Sequence, residues 1–339
     1  MRGVATPASP LLEVDNYSLT LTGSDGRLFP VLEGIGFTLG RGETMGIAGE
    51  SGSGKSVLAL SLLGLLPRAA IREQRGALRF DGIDLATLDE AGLQKLRGRR
   101  LAMVFQEPMT AMNPLMTLYE QVAEGVRTHF PHLREDEVRQ RVERALRRAG
   151  LADPERFFES FPHQLSGGMR QRAMLGMALA TEPELIVADE PTTALDAALQ
   201  VQLLQELRRT VRDEGHSLVF ISHDLGVIRT VADRLAVLYA GVLVEWGPVA
   251  EVLDRPLHPY ARALRDAMPR LIKERQLPRP IPGHLPSPDQ KPIGCVFSPR
   301  CSKAAERCRT ERPGPSEPLP GRMVRCHFPE SVAKPGGKA

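Results

Sequence analysis

An α/β fold built on a mostly parallel sheet is predicted by three features of the 339-residue sequence. Two apolar runs of strand length, Leu185 to Ala188 and Leu218 to Ile221, each follow a helix-length segment and end in acidic or His-bearing residues. A third apolar run, Thr44 to Ala48, passes through a glycine-rich loop into a helical run, Val57 to Leu66. Strands that alternate with helices become parallel neighbours, because each helix carries the chain back to the starting end of the sheet.

Composition agrees with a folded chain. Hydrophobic residues make up 42% and charged residues 25%, which excludes a wholly disordered or fibrous protein. The net charge of +3 is too small to argue for nucleic acid or an anionic membrane through bulk electrostatics. No apolar window approaches the roughly 18 residues that cross a bilayer, and Met1 to Pro10 lack the apolar centre of a signal peptide. A cytosolic chain that does not cross the membrane unaided is expected.

Taken in order, Leu11 to Val14, the alternating Tyr17, Leu19 and Leu21, Gly36 to Leu39 and Thr44 to Ala48 read as short strands separated by turns. Arg134 to Arg148 alternates charges as a solvated helix does. From about Asp254 the composition shifts, since 16 of the 28 prolines lie beyond it. That density excludes long helices and central strands. Residues 270–339 are therefore expected to be a linker and tail, or a small unit held together by cysteines.

Gly49-Glu50-Ser51-Gly52-Ser53-Gly54-Lys55-Ser56 fits G-x-x-x-x-G-K-[ST] between a strand and a helix. Glycines let successive backbone amides converge on phosphate oxygens, and the helix N-terminus adds its dipole. Lys55 is expected to reach the β/γ-phosphates and Ser56 to bind Mg²⁺. Asp189 and Glu190 end an apolar strand at its carboxyl end, where open α/β sheets bind ligands. Adjacent strand residues point opposite ways. Asp189 can then serve Mg²⁺ while Glu190 acts as general base on water near the terminal phosphate. Ser166, Gly167 and Gly168 precede a helical run and form a second anion-binding corner.

All four cysteines fall in the Pro-rich region, as Cys295-x₅-Cys301-x₆-Cys308-x₁₇-Cys326 followed by His327. In a reducing compartment such clustering points to metal before disulfides. Four thiolates suit tetrahedral Zn²⁺ or a [4Fe–4S] cluster, and chemistry alone leaves both open, with unligated cysteines as a third reading.

Between the nucleotide motifs, Leu165-Ser166-Gly167-Gly168-Met169-Arg170-Gln171-Arg172 resembles the signature of ATP-binding-cassette proteins. Gln106 in Val104-Phe105-Gln106-Glu107 resembles that family's Q-loop, Thr193-Ala194-Leu195-Asp196 its D-loop, and His223 in Ile221-Ser222-His223-Asp224 its switch histidine. Met109-Thr110-Ala111-Met112-Asn113-Pro114, Phe161-Pro162-His163-Gln164 and His258-Pro259-Tyr260 narrow the likeness to ATP-binding subunits of oligopeptide and dipeptide permeases. Nickel and glutathione importers share much of it, and soluble cassette proteins of DNA repair or the ribosome are the rival class.

The resemblance implies an ATPase core over residues 1–268, with an antiparallel β subdomain, a helical subdomain at about 107–180 and a Cys-containing extension from 269 to 339. It implies two cassettes, identical or homologous, packed head to tail, each ATP lying between Lys55 of one and Ser166 to Gly168 of the other. Gln106 would join Ser56 and Asp189 around Mg²⁺, His223 would meet the γ-phosphate, and Asp196 would serve as helix cap and inter-subunit contact. Two membrane permease subunits and an extracytoplasmic binding protein would be the partners, at the cytoplasmic face of the inner membrane, with no nucleic acid. Met103, Met109, Met112 and Met116 would give a docking surface for a membrane subunit. The resemblance favours iron–sulfur over zinc at the cysteines. The aromatic on which many family members stack adenine is replaced by Leu21, leaving Tyr17 and Phe29 as candidates.

Overall fold

The computed structural model describes residues 9–192, 197–268 and 280–330. The chain opens with two long antiparallel strands, β1 (Leu12–Thr22) and β2 (Leu28–Leu39). Two short strands were expected where β1 runs unbroken. Asn16 takes φ +45° and the register slips between Val14 and Tyr17. A bulge of this kind shifts the apolar alternation by a residue without ending the strand.

β3 (Thr44–Ala48) is buried at every position and leads through the phosphate loop into α1 (Lys55–Leu62). The helix stops before Leu66 because Gly64, at φ +61°, turns the chain left-handed and its N–H caps the Ser61 carbonyl. β4 (Ile71–Phe80), β5 (Ile83–Asp84) and α2 (Glu90–Leu96) follow. The polar first half of β4 carries no strand signal of its own; pairing with β1 from Leu12 to Leu21 supplies it.

β6 (Leu101–Val104) enters a helical lobe of α3 (Pro108–Ala111), α4 (Leu118–His129), α5 (Glu135–Arg148) and α6 (Gly167–Leu179). Thr117 and Glu120 close a capping box on α4. α5 is more than a solvated helix. Val138, Val142, Ala145 and Leu146, spaced along one face, are buried in a core shared with Leu118, Val122 and Val126 of α4.

The chain continues through β7 (Leu185–Asp189), α7 (Ala197–Glu214), β8 (Ser217–Ile221), α8 (Leu225–Val231), β9 (Arg234–Tyr239), β10 (Val242–Pro248), α9 (Val249–Asp254) and α10 (Pro259–Asp266). β9 and β10 form a hairpin through Ala240 and Gly241, at φ +47° and +77°, the two left-handed positions a type I′ turn needs. The Pro-rich region adds α11 (Glu306–Thr310), β11 (Ser316–Leu319) and β12 (Arg322–Val324). Strand order is β5-β4-β1-β2-β10-β9-β3-β8-β7-β6, with β12 beside β10. The β9-β3-β8-β7-β6 portion is parallel, and β1, β2, β4 and β5 are antiparallel.

Within residues 280–330 the chain does not build a core of its own. Cys295, Val296, Phe297 and Cys308 join the main core beside Tyr239 and Tyr260, and β12 pairs antiparallel with β10. Arg322, 1% exposed, donates to Glu245, 0% exposed, at 2.6 Å and to the Arg255 carbonyl at 2.7 Å. The same carboxylate accepts from the Leu257 and His258 amides. A buried pair with this many hydrogen bonds fixes where β12 docks.

Candidate functional site

The phosphate loop is shaped by close backbone approach. A Cβ on Gly49 would stand 2.2 Å from the Leu238 carbonyl oxygen, and Gly54, at φ +102°, caps α1 in a conformation that side chains resist. Ser53 is fully buried, its carbonyl accepting from Gly241 at 2.8 Å and its amide donating to Glu50 at 3.1 Å. The loop is therefore clamped against the β9–β10 turn.

Lys55 is buried and its Nζ donates to the carbonyls of Gly49 and Glu50 at 2.9 and 3.0 Å. Burial pulls its ammonium below the usual lysine range, while Glu190, Asp189 and Glu50 oppose that pull. Asp189, at the end of β7, is pushed up by burial against a hydrogen bond from Ser56. Its Oδ1 is buried without a hydrogen-bond partner, an orphaned acceptor that a cation or its water would satisfy. Ser56, Asp189 and Gln106 are thus suited to hold Mg²⁺ through oxygen atoms.

Glu190 leaves the strand at φ +46°, outside the conformations a glutamate prefers. Its Oε2 meets Gln106 Nε2 and His223 Nδ1, each at 3.3 Å. Ser51, Gly52, Gly54, Lys55, Ser56, Gln106, Glu190 and His223 line one cleft of about 370 Å³. Seven chain segments meet there, and five further lining residues, Val31, Ala240, Pro286, Pro288 and Lys291, were not foreseen.

Ser166 caps α6 by accepting from the Met169 amide at 3.3 Å, and Ser166 and Gly167 are exposed. With Gly168 they do not line this cleft. Asp196 lies outside the described residues. Met109, 51% exposed, faces solvent whereas Met112, 3% exposed, is core, so the expected docking methionines divide between surface and interior. Tyr17 cannot stack a nucleotide base. It is 1% exposed, packed in the core and bonded to Ser61. Phe29 pairs with Leu21 across β1 and β2, and neither lines the cleft.

Cys295, Cys301, Cys308 and Cys326 all border one narrow pocket with Phe297, His327 and Phe328, and all four are free thiols. Among the described residues, however, no three His, Cys, Asp or Glu side chains stand together as the ligands of a single ion would. The expected metal site, zinc or iron–sulfur, is therefore not preformed among the described residues.

A family model described as "ABC transporter" matches residues 32–193, and one described as "Oligopeptide/dipeptide transporter, C-terminal region" matches residues 244–308. The oligopeptide transport ATP-binding protein AppD of Bacillus subtilis is 39% identical over 95% of this chain and 98% of its own. The chain belongs to the ATP-binding-cassette transporter family. The dipeptide transport ATP-binding protein DppD of Escherichia coli is likewise 39% identical, over 94% of this chain and 97% of its own. A solved ATP-binding cassette, dimeric and bound to ADP and Pi in a post-hydrolysis state, superposes with a TM-score of 0.63 at 30% identity, covering 70% of this chain and 98% of that one. The cassette's mixed sheet, phosphate loop and helical lobe accordingly carry the family's architecture.

Proposed function

We propose that this cassette is the ATP-hydrolysing subunit of an importer of oligopeptides or dipeptides. The carrying observation is the cleft itself: Glu190 is held between Gln106 and His223 beside the phosphate loop, while the Ser166 to Gly168 corner, exposed at Ser166 and Gly167, lies outside it. A half-site and a detached anion corner on one chain fit a head-to-tail dimer in which each nucleotide is enclosed by both subunits. The relatives named above, matched over nearly their whole length, support peptides as cargo.

In this reading the loop amides and Lys55 bind the β- and γ-phosphates, losing the Gly49 and Glu50 carbonyls as partners and gaining phosphate oxygens. Mg²⁺, held by Ser56, Asp189 and Gln106, would neutralise charge on the triphosphate. Glu190 accepts a proton from water as that water attacks the γ-phosphorus, and His223 fixes the carboxylate and senses the phosphate. Closure and reopening of the dimer would drive two membrane permease subunits fed by an extracytoplasmic binding protein, with the cassette peripheral at the cytoplasmic face of the membrane. None of its helices, among the described residues, is long and apolar enough to cross a membrane.

Glu190→Gln tests the assignment. General-base removal is expected to lower turnover about 10²–10⁴-fold while ATP is retained and closed dimers accumulate on size exclusion; near-normal turnover refutes it. Stimulation of ATPase activity in vesicles containing the assembled complex, screened with peptides against nickel and glutathione, decides the cargo.

We propose a [4Fe–4S] cluster as a resident group of the thiol pocket. Four free thiols, two buried and two half-buried, border one pocket, and four cysteine sulfurs are the ligand set such a cluster takes. Such a group would supply folding energy and redox sensitivity at this edge of the molecule. Stoichiometric iron and sulfide with absorbance near 400 nm after anaerobic purification is the expected result; stoichiometric zinc in a colourless protein overturns it.

A further inference from the structure

The cleft has two ends with different origins. One carries Gln106, Glu190 and His223, all hydrogen-bonded through a single carboxylate oxygen. Besides the phosphate loop, the cleft is lined by Val31 from β2, Ala240 from the β9–β10 turn, and Pro286, Pro288 and Lys291 from the Cys-rich extension. Among the described residues no Phe, Tyr or Trp lines it.

The extension lies against this place. Leu285 stands near the phosphate loop, where a Cβ added to Gly52 would meet its Cδ2 at 3.4 Å. Lys291 Nζ donates to the Pro30 carbonyl at 2.5 Å, beside Val31. Arg300, its side chain 5% exposed, donates from Nη1 to both carboxylate oxygens of Glu50 at 3.1 and 2.9 Å. The same guanidinium reaches back to the strap, from Nε to Pro282 O at 2.7 Å and from Nη2 to Ile281 O at 3.2 Å. One side chain thus ties the strap leading to Leu285 to the loop that holds phosphate. Prolines at 282, 286 and 288 restrict its backbone before any ligand arrives.

We propose that Pro286 and Pro288, with Val31, form the base-binding wall of the nucleotide site, and that Arg300 positions this wall against the phosphate loop. The proposal rests on reading the cleft as an ATP site. The purine ring lies between aliphatic faces where relatives of other design use an aromatic ring, and Lys291 offers an ammonium to acceptors on the ribose or the base edge. Apolar enclosure of a planar ring by rigid rings needs no aromatic stacking, since the gain follows the area withdrawn from water.

Isothermal titration of the purified full-length chain with ATP and with inorganic tripolyphosphate, which has the phosphates and no base, separates the two ends. Pro286→Gly/Pro288→Gly is expected to weaken ATP about tenfold, the scale of one partly buried ring, and to leave tripolyphosphate within about twofold, which also reports that the phosphate loop remains folded. Pro288→Ala, milder for the fold, should move ATP in the same direction. Equal losses for both ligands, or no loss for ATP, overturn the proposal, as does a wild-type chain that binds tripolyphosphate as tightly as ATP. A wild-type chain that binds neither ligand overturns the ATP reading itself.

Discussion

The phosphate end and the base end of one cleft are built by opposite means. At the phosphate end a contiguous stretch, Gly49 to Ser56, supplies backbone amides, a helix terminus and one lysine, because phosphate oxygens are recognised by donors that every residue carries. At the base end Val31, Ala240, Pro286 and Lys291 come from three separate parts of the chain, and what they share is shape. Recognition by backbone writes itself into glycine spacing. Recognition by surface leaves no pattern in the sequence.

The contrast can be broken at its mechanical fastening. Arg322→Met strips the buried Glu245 carboxylate of its cation, a change expected to cost about 3–5 kcal/mol in denaturant unfolding; a loss below 1 kcal/mol would mean β12 docks without it. Next in size, Lys55→Met should weaken ATP and tripolyphosphate alike by roughly 30-fold, the worth of a charged hydrogen bond, as read by calorimetry. Unequal losses there would blur the division between the ends. Arg300→Gln comes third, with ATP weakened about fivefold from the loss of roughly 1 kcal/mol in a half-shielded pair and tripolyphosphate changed less. Equal losses would assign Arg300 to the loop rather than to the wall.

The smallest effect concerns Lys291, whose pKa burial lowers to about 8, against Glu33, which raises it, and with Arg312 lowering it further. Its unfolded value lies higher, so between about pH 8 and 10 the unfolded chain binds the extra proton and stability rises with pH. Wild-type protein should therefore gain stability over that window relative to Lys291→Met, by thermal unfolding at matched ionic strength. Parallel curves for the two proteins would show that Lys291 titrates as an ordinary surface lysine.

What could be read beforehand follows the same line. The strands at Thr44, Leu185 and Leu218 were legible because a strand buried on both faces is apolar throughout, and the loop, Glu190, Gln106 and His223 because their motifs are local. β4 escaped notice because its exposed half is polar and its partner lies far away in sequence. The β9–β10 hairpin could have been found from Leu235 to Val244, two apolar runs about an Ala-Gly pair. Tyr17 was misjudged as a base-stacking candidate because an aromatic in an alternating strand carries no mark of which face turns inward. The strap was invisible for a different reason: prolines announce the absence of helix and strand, and say nothing of what an irregular segment leans on.

Arg322 and Arg300 together give the molecule's architecture a practical consequence. A shortened chain ending near residue 268 would lose the partner of Glu245 and the strand that pairs with Trp246, while its ATP pocket would stand open along one flank. Grafting the tail of one such transporter onto the motor of another would then transplant part of the fuel preference as well, so the boundary that composition draws along the chain is not one at which the machine comes apart.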